Sequence, residues 1–446
     1  MSPITHVIKR DGSKVPYTKT RIANAIYRAA VSVGGRDKNT PDDLADQVTD
    51  LLNQTFGSER DPAVEDIQDI VEKVLIENGH AKVAKAYILY RAEQQMRHRV
   101  KLHDRATHTG NIPYQKIWET YVWAVDHHVN TIHQLNERIS KGEFPDIVRE
   151  SDRAYEEDIH TAGEIIAERR DVRIVIVAGP SSSGKTTTTT KLAEYLQTKG
   201  LGLVELNVDN YFYDLDLHPK DEFGDHDFET PHALDLELIN EHIRRMLDGE
   251  EILTPYYDFK SGKRYLDRTP MRVAKNEIIL IDSLHGLYGA MTAGIAPEAI
   301  FKVYIETLLQ MKGPNNKFIR WTDLRLMRRM VRDSMHRGYA PEQTLTHWHY
   351  VRSAELQHII PAVNSADYVV NGAVPYELPI MRPRLLEYFR EWEKKYADDP
   401  RRADAYVRAK RVRELLEMVT PVEDESSIPA TSHIREFIGG LAYDVH

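Results

Sequence analysis

RIVIVAGPSSSGKTTTTTKLAEYLQ, residues 173–197, decides the fold. The run Arg173–Ala178 is short and apolar, the pattern of a strand buried on both faces. Gly179 to Thr186 then match G-x-x-x-x-G-K-[ST], and a helical stretch follows, so the motif stands in the strand–loop–helix context it requires. Glycines let backbone N–H groups turn inward around phosphate oxygens, where a side chain would obstruct them. The helix starting near Gly184 adds its positive end and its unpaired amides. Gly179, Ser181, Ser182, Ser183, Gly184, Lys185, Thr186 and Thr187 are therefore the expected ATP contacts. Lys185 is placed to reach the β- and γ-phosphates, and the Thr186 hydroxyl to ligate Mg²⁺.

Outward from this loop, strand and helix alternate, which predicts an α/β domain built on a parallel sheet with helices on both faces. Five strands are expected: Arg173–Ala178, Gly202–Val208, Glu277–Ile281, Ile300–Ile305 and Tyr368–Asn371. Ligands collect at the carboxyl ends of such strands. Asp282 ends one of them, placed to hold the metal through water. Asp209 ends another and precedes Asn210-Tyr211-Phe212-Tyr213; a carboxylate there can accept the proton of an attacking hydroxyl. Arg325, Arg328, Arg329 and Arg332 recur at helical spacing, a row that can neutralise a transferring phosphoryl group. Residues 113–168 read as long helices without a motif, and Glu387–Val419 as a charged, solvent-facing helix.

The chain has 446 residues, a formal net charge of −10 and 41% hydrophobic residues, an ordinary globular composition. The acidic balance argues against a nucleic-acid partner held by net charge. No window approaches the ~18 apolar residues of a membrane span, and the N-terminus lacks the apolar core of a secretion signal, so a cytoplasmic protein is expected. The cysteine count of 0 excludes disulfides and thiolate zinc sites.

The strings GPSSSGKT, DNYFYD (209–214), FETPHALDLELI (228–239), TPYYDFKSGKR (254–264), ILIDSLHGL (279–287), TDLRLMRRMVRDSMHRG (322–338) and YELPI (376–380) stand in the order found in the uridine kinase and phosphoribulokinase group, which this region resembles. REFIGG at 435–440 is similar to the C-terminal signature of bacterial uridine-kinase-like proteins. The resemblance implies a P-loop kinase domain. Asp209 would be general base for the sugar 5′-hydroxyl, with Lys185, Arg325 and Arg328 completing the catalytic set. Glu229 would grip the ribose hydroxyls, Tyr257 would lie beside the base, and Tyr211, Arg325 and Gln343 would be further substrate contacts. Asp282 replaces the group's usual metal-side glutamate. One departure concerns the base: Gly262 stands where uridine–cytidine kinases place a base-reading histidine, which leaves thymidine, a purine nucleoside or a non-nucleoside alcohol open.

Residues 1–98 resemble a second family, the ATP-cone, through VIKRDGSKVPYTKTRIANAIYRAA (7–30), VEDIQDIVEKVLIENG (64–79) and AKAYILYR (84–91). By that resemblance Lys9, Arg10 and Arg21 meet the phosphates of an ATP or dATP effector, and control acts through subunit packing, which implies a homo-oligomer. The expected organisation is a mostly helical ATP-cone over 1–98, a helical linker over 99–170, and a P-loop nucleoside kinase domain with a parallel five-stranded sheet and a C-terminal helical extension over 171–446. The expected activity is ATP- and Mg²⁺-dependent phosphorylation of the 5′-hydroxyl of a nucleoside (uridine, cytidine or thymidine), regulated at the ATP-cone. The alternatives are a kinase of a small sugar phosphate or hydroxy-acid phosphate, and a non-catalytic nucleotide sensor.

Overall fold

A computed structural model of the chain describes residues 4–8, 14–35, 37, 39–56, 61–88, 112–218, 229–336 and 338–443, which fall into two compact units. In the first, β1 (His6–Ile8) pairs antiparallel with β2 (Lys14–Pro16), Val7 opposite Val15. Helices α1 (Lys19–Ser32), α2 (Thr40–Thr55) and α3 (Val64–Glu77) follow. Their apolar residues recur every three to four positions and meet in one core: Ile22 and Ile26 from α1, Leu44, Val48 and Leu52 from α2, Val71, Val74 and Leu75 from α3. Arg21 is exposed in the first turn of α1; Lys9 and Arg10 lie outside the described residues.

The second unit begins with α4 (Tyr114–Asp126), α5 (Ile132–Ser140) and α6 (Phe144–Glu168). The sheet then alternates with helices: β3 (Ile174–Ala178), α7 (Lys185–Thr198), β4 (Gly202–Glu205), α8 (Leu236–Leu247), the hairpin β5 (Ile252–Asp258) and β6 (Lys263–Met271), β7 (Glu277–Ser283), and β8 (Ile300–Glu306). Helices α9 (Trp321–His336) and α10 (Pro341–Ala354), strand β9 (Tyr368–Asn371), helices α11 (Glu377–Tyr396) and α12 (Ala403–Met418) and the short α13 (Arg435–Ile438) complete it. The five sheet strands are all parallel in the order β4-β7-β3-β8-β9. Each expected strand is present. β3 is central and fully buried, with Ile174 and Ile176 facing one core and Val175 and Val177 the other, as a period of two requires.

Two expectations change here. The helices over 114–168, read as a linker, pack against the sheet in this same unit. Tyr155 on α6 meets Thr188 on α7 at 2.6 Å, and Asp158 accepts from the Asn371 amide of the edge strand β9. Gly163 makes this approach feasible, since a Cβ there would stand 2.3 Å from the Tyr195 ring. The tail read as one exposed helix is two, α11 and α12, packed on each other. Phe389, Trp392, Ala405, Ala409 and Val412 form a buried seam. Charged pairs such as Arg390–Glu417 flank the seam, which is why the segment reads as polar.

Candidate active site

Chain direction and one tight turn build the hollow after β3. At Gly179 a Cβ would lie 2.3 Å from the Ile305 carbonyl oxygen, so only glycine lets the loop leave the sheet so close to β8. Ser182 (φ 60°) and Gly184 (φ 100°) both adopt left-handed backbone, which turns successive amides to one side. The Ser182 and Ser183 hydroxyls are buried without a hydrogen-bond partner, groups that a bound phosphate would satisfy. At the first turn of α7, the Thr187 amide and hydroxyl donate to the Glu436 carboxylate at 3.3 and 2.6 Å. An anion from the C-terminal REFIGG segment thus already rests on the helix N-terminus.

The arginines of α9 hold this loop from behind. Arg325 is fully buried, ion-paired with Glu306 (3.0 Å) and Glu355, and donates to the Ser181 carbonyl at 3.2 Å. Burial by itself opposes its charge, but the two glutamates outweigh that and raise its proton affinity. Arg328 is equally buried: it pairs with Glu377 at 2.7 Å and donates to the Ser183 and Gly372 carbonyls. The expectation that these two guanidiniums meet a transferring phosphoryl group or the substrate is therefore not what the geometry offers; their donors are spent on buried glutamates and loop carbonyls. Arg329, on the next face, carries the open contact instead. Half-buried, it donates to the Ser181 hydroxyl (3.2 Å) and to Glu229 (3.0 Å), linking the loop to the acceptor-side carboxylate.

Asp282 lies opposite Val177 in the register, at the carboxyl edge beside the loop. Burial raises its carboxyl to about 6, with the charges of Asp209 and Glu436 pushing the same way and Lys185 and a hydrogen bond from Thr186 opposing. Asp282, Thr186, Lys185 and Asp209 are thus brought together. The oxygen donors of Thr186 and Asp282, beside surplus negative charge, fit a hard divalent cation such as Mg²⁺. No set of three or more His, Cys, Asp or Glu among the described residues forms a metal cage of its own. Asp209 is exposed in the short turn after β4, its amide held by Asn207 at 2.9 Å.

The remaining expected contacts divide. Tyr257 is buried on β5, edge-on to Phe259 at 4.9 Å, with its phenol oxygen lacking a partner. Tyr211 departs from expectation: it is fully buried with its hydroxyl on His242 at 2.8 Å, so it supports the Asp209 turn from the core. Gln343 is exposed and caps α10, its side-chain oxygen accepting from the Ala340 amide at 3.2 Å. Gly262 has φ 65°, and a Cβ would stand 2.8 Å from Leu215, so the hairpin cannot carry a histidine there without moving. His285 follows β7 and is 4% exposed. Burial lowers its pKa to about 3, His358 and Lys185 adding to this and a hydrogen bond with the Glu229 backbone opposing it.

Glu436 is the residue at the loop that sequence reasoning passed over, while Arg329 stood in the expected arginine row without a role of its own. A signal existed for the arginines. Leu324, Leu326, Met327, Met330 and Val331 surround them on every face, the mark of a helix buried all round.

Residues 174–377 match the model of the phosphoribulokinase/uridine kinase family, and residues 5–96 that of the ATP cone domain. Over 198 residues the chain is 27% identical to the uridine kinase of Deinococcus deserti, covering 44% of this chain and 86% of that one. It is 29% identical over 203 residues to the uridine kinase of Anoxybacillus flavithermus (45% and 87%). It is 27% identical over 198 residues to uridine-cytidine kinase B of Dictyostelium discoideum (44% and 73%). A solved structure described as a possible uridine kinase from Bacillus stearothermophilus covers 47% of this chain and 97% of its own, at 14% identity and a TM-score of 0.31.

Proposed function

We propose, from the match of residues 174–377 to the phosphoribulokinase/uridine kinase family and of residues 5–96 to the ATP cone domain, that the chain is an ATP- and Mg²⁺-dependent kinase of a nucleoside 5′-hydroxyl, regulated by nucleotide at the ATP cone. The observation that carries this reading is the juxtaposition of the exposed Asp209 carboxylate with Asp282 and Lys185 at the mouth of the phosphate loop. A nucleotide switch has no use for a hydroxyl-side base. A kinase does, because phosphoryl transfer asks mainly for positioning, charge neutralisation and one group to take the acceptor's proton.

In this mechanism the loop amides and the Ser182 and Ser183 hydroxyls hold the triphosphate, and Lys185 follows the charge of its terminal phosphate. Thr186 and Asp282 would hold Mg²⁺, which neutralises phosphate charge when bound. Asp209 accepts the proton of the attacking hydroxyl. Glu229, steered by Arg329, accepts from the sugar, and Tyr257 offers a ring face and a phenol to the base. The relatives' names support the nucleoside as acceptor.

The test is a screen that follows ADP release with uridine, cytidine, thymidine, purine nucleosides, ribulose 5-phosphate and glycerate. Nucleoside-dependent release is expected. Asp209→Asn should lose about 10²–10⁴-fold in turnover with ATP affinity retained. Release with ribulose 5-phosphate or glycerate alone would overturn the acceptor class, and full activity of the variant would remove Asp209 from the mechanism.

A further inference from the structure

Helix α4 is apolar on two sides where a surface helix needs one. Thr120 and Ala124 face the core and are buried. On the outer side Tyr114, Trp118, Val122 and Val125 follow one another at spacings of four, four and three, which stacks them in a single stripe. They are 56%, 65%, 39% and 38% exposed. The stripe continues off the helix. The Trp118 ring lies 5.9 Å from that of Tyr121, and Tyr121 meets Phe318, itself half-exposed, edge-on at 6.4 Å. The turn that carries Phe318 is tied to the α4–α5 connection: the Lys312 amide donates to the Asn130 carbonyl at 2.9 Å, and the Ile132 amide to the Lys312 carbonyl at 3.0 Å. Three half-exposed rings and two valines leave about 400–500 Å² of contiguous apolar surface, the size of the largest patch that a monomer carries.

The two edges of this patch differ in charge. Helical periodicity puts the exposed Glu119 and Asp126 on one flank of the stripe and Tyr121 on the other. Beyond Tyr121 stand Lys312, 5.7 Å above the Phe318 ring, and the exposed Lys317. A patch with one acidic and one basic edge complements itself under one rotation. A two-fold axis running along α4 sets two stripes face to face and exchanges their edges, acid against base; a two-fold across the helix sets acid against acid. We propose that this face joins two copies of the chain, with α4 parallel to its mate and Glu119 and Asp126 of one copy opposite Lys312 and Lys317 of the partner subunit. Pairing the patch with itself buries about 800–1,000 Å², short of the ~1,600 Å² of a standard stable interface, so the dimer is reversible rather than obligate. It is independent of which acceptor the kinase site takes.

The test is sedimentation equilibrium of the full chain, without nucleotide, from low to high micromolar concentration. Wild type should pass from monomer to dimer across that range. Trp118→Glu and Val122→Glu alter side chains already in solvent, so they should melt as wild type does, yet each should weaken the dimer at least tenfold. The edges are tested at Asp126, because Glu119 also pairs with Lys116 at 3.5 Å within its own helix. Asp126→Lys and Lys317→Glu should each weaken the dimer, and the double variant, whose exchanged edges match again, should regain most of the wild-type affinity. A chain that stays monomeric throughout, or an assembly that folded Trp118→Glu leaves unchanged, would overturn the interface. A double variant no better than its parents would overturn the exchange of edges.

Discussion

Asp282 shows what one residue gives up for function. Its folded-state pKa, about 6, stands above the ordinary carboxyl value, so folding favours its protonated form. The associated stability is fully present below about pH 4 and is lost as pH rises through 6; at pH 7.5 the ionised group is a burden of up to about 3 kcal/mol. Asp282→Asn removes that burden. In EDTA at pH 7.5 the variant should melt higher than wild type, while its kinase rate falls by a hundredfold or more. Asp152, pushed to about 6 by its own burial, titrates in the same window, so the difference between the two proteins across pH 4–7 isolates Asp282. A lower melting temperature for the variant at pH 7.5 would show that its charge is already compensated. The carboxylate could be picked out from ILID at a strand end. Its pKa could not, because that depends first on burial and then on Lys185, Asp209 and Glu436 converging from distant parts of the chain.

At the scale of elements, α9 and α13 clamp the loop. Arg328 joins α9 to the first turn of α11 through Glu377, both side chains fully buried. Arg328→Met strands that glutamate and should cost about 3–5 kcal/mol in urea unfolding, whereas the double variant Arg328→Met/Glu377→Gln should recover much of the loss. No recovery would mean that the loop carbonyls on Ser183 and Gly372, rather than the ion pair, set the cost. The contact from α13 acts in the opposite sense on the ligand. Thr187 has one N–H and one O–H, and both go to Glu436, so a phosphate that uses them must displace the carboxylate. Glu436→Gln should therefore tighten ATP binding several-fold by equilibrium titration; weaker binding would mark Glu436 as a support for the loop. Element types were readable from periodicity. The α11–α12 pairing was not, since small residues such as Ala405 and Ala409 count little in a hydrophobic pattern yet let two helices close together.

For the whole molecule, the question is whether the ATP cone governs the kinase. Lys9→Ala with Arg10→Ala should leave basal turnover intact and abolish the response of kcat to added dATP or ATP at the second site. An unchanged response would discard Lys9 and Arg10 as effector contacts. Sedimentation with and without dATP should report a change of assembly in wild type that the double variant lacks. No described helix is long and apolar enough to cross a membrane.

The sequence by itself determined the parallel five-stranded sheet, the phosphate loop and the likeness of two of its segments to known families. Each is encoded locally, in strand-length apolar runs, in a glycine spacing that backbone geometry demands, or in motifs kept in order. Tertiary structure alone decided which polar residues serve the ligand. Arg325 and Arg329 sit four residues apart on one helix with the same chemistry, yet one is spent on Glu306 and Glu355 while the other faces Glu229. That division follows from which buried carboxylates happen to lie within reach, and desolvation makes such pairings all-or-none. Contacts between residues a hundred or more positions apart leave no periodic trace in the chain that makes them.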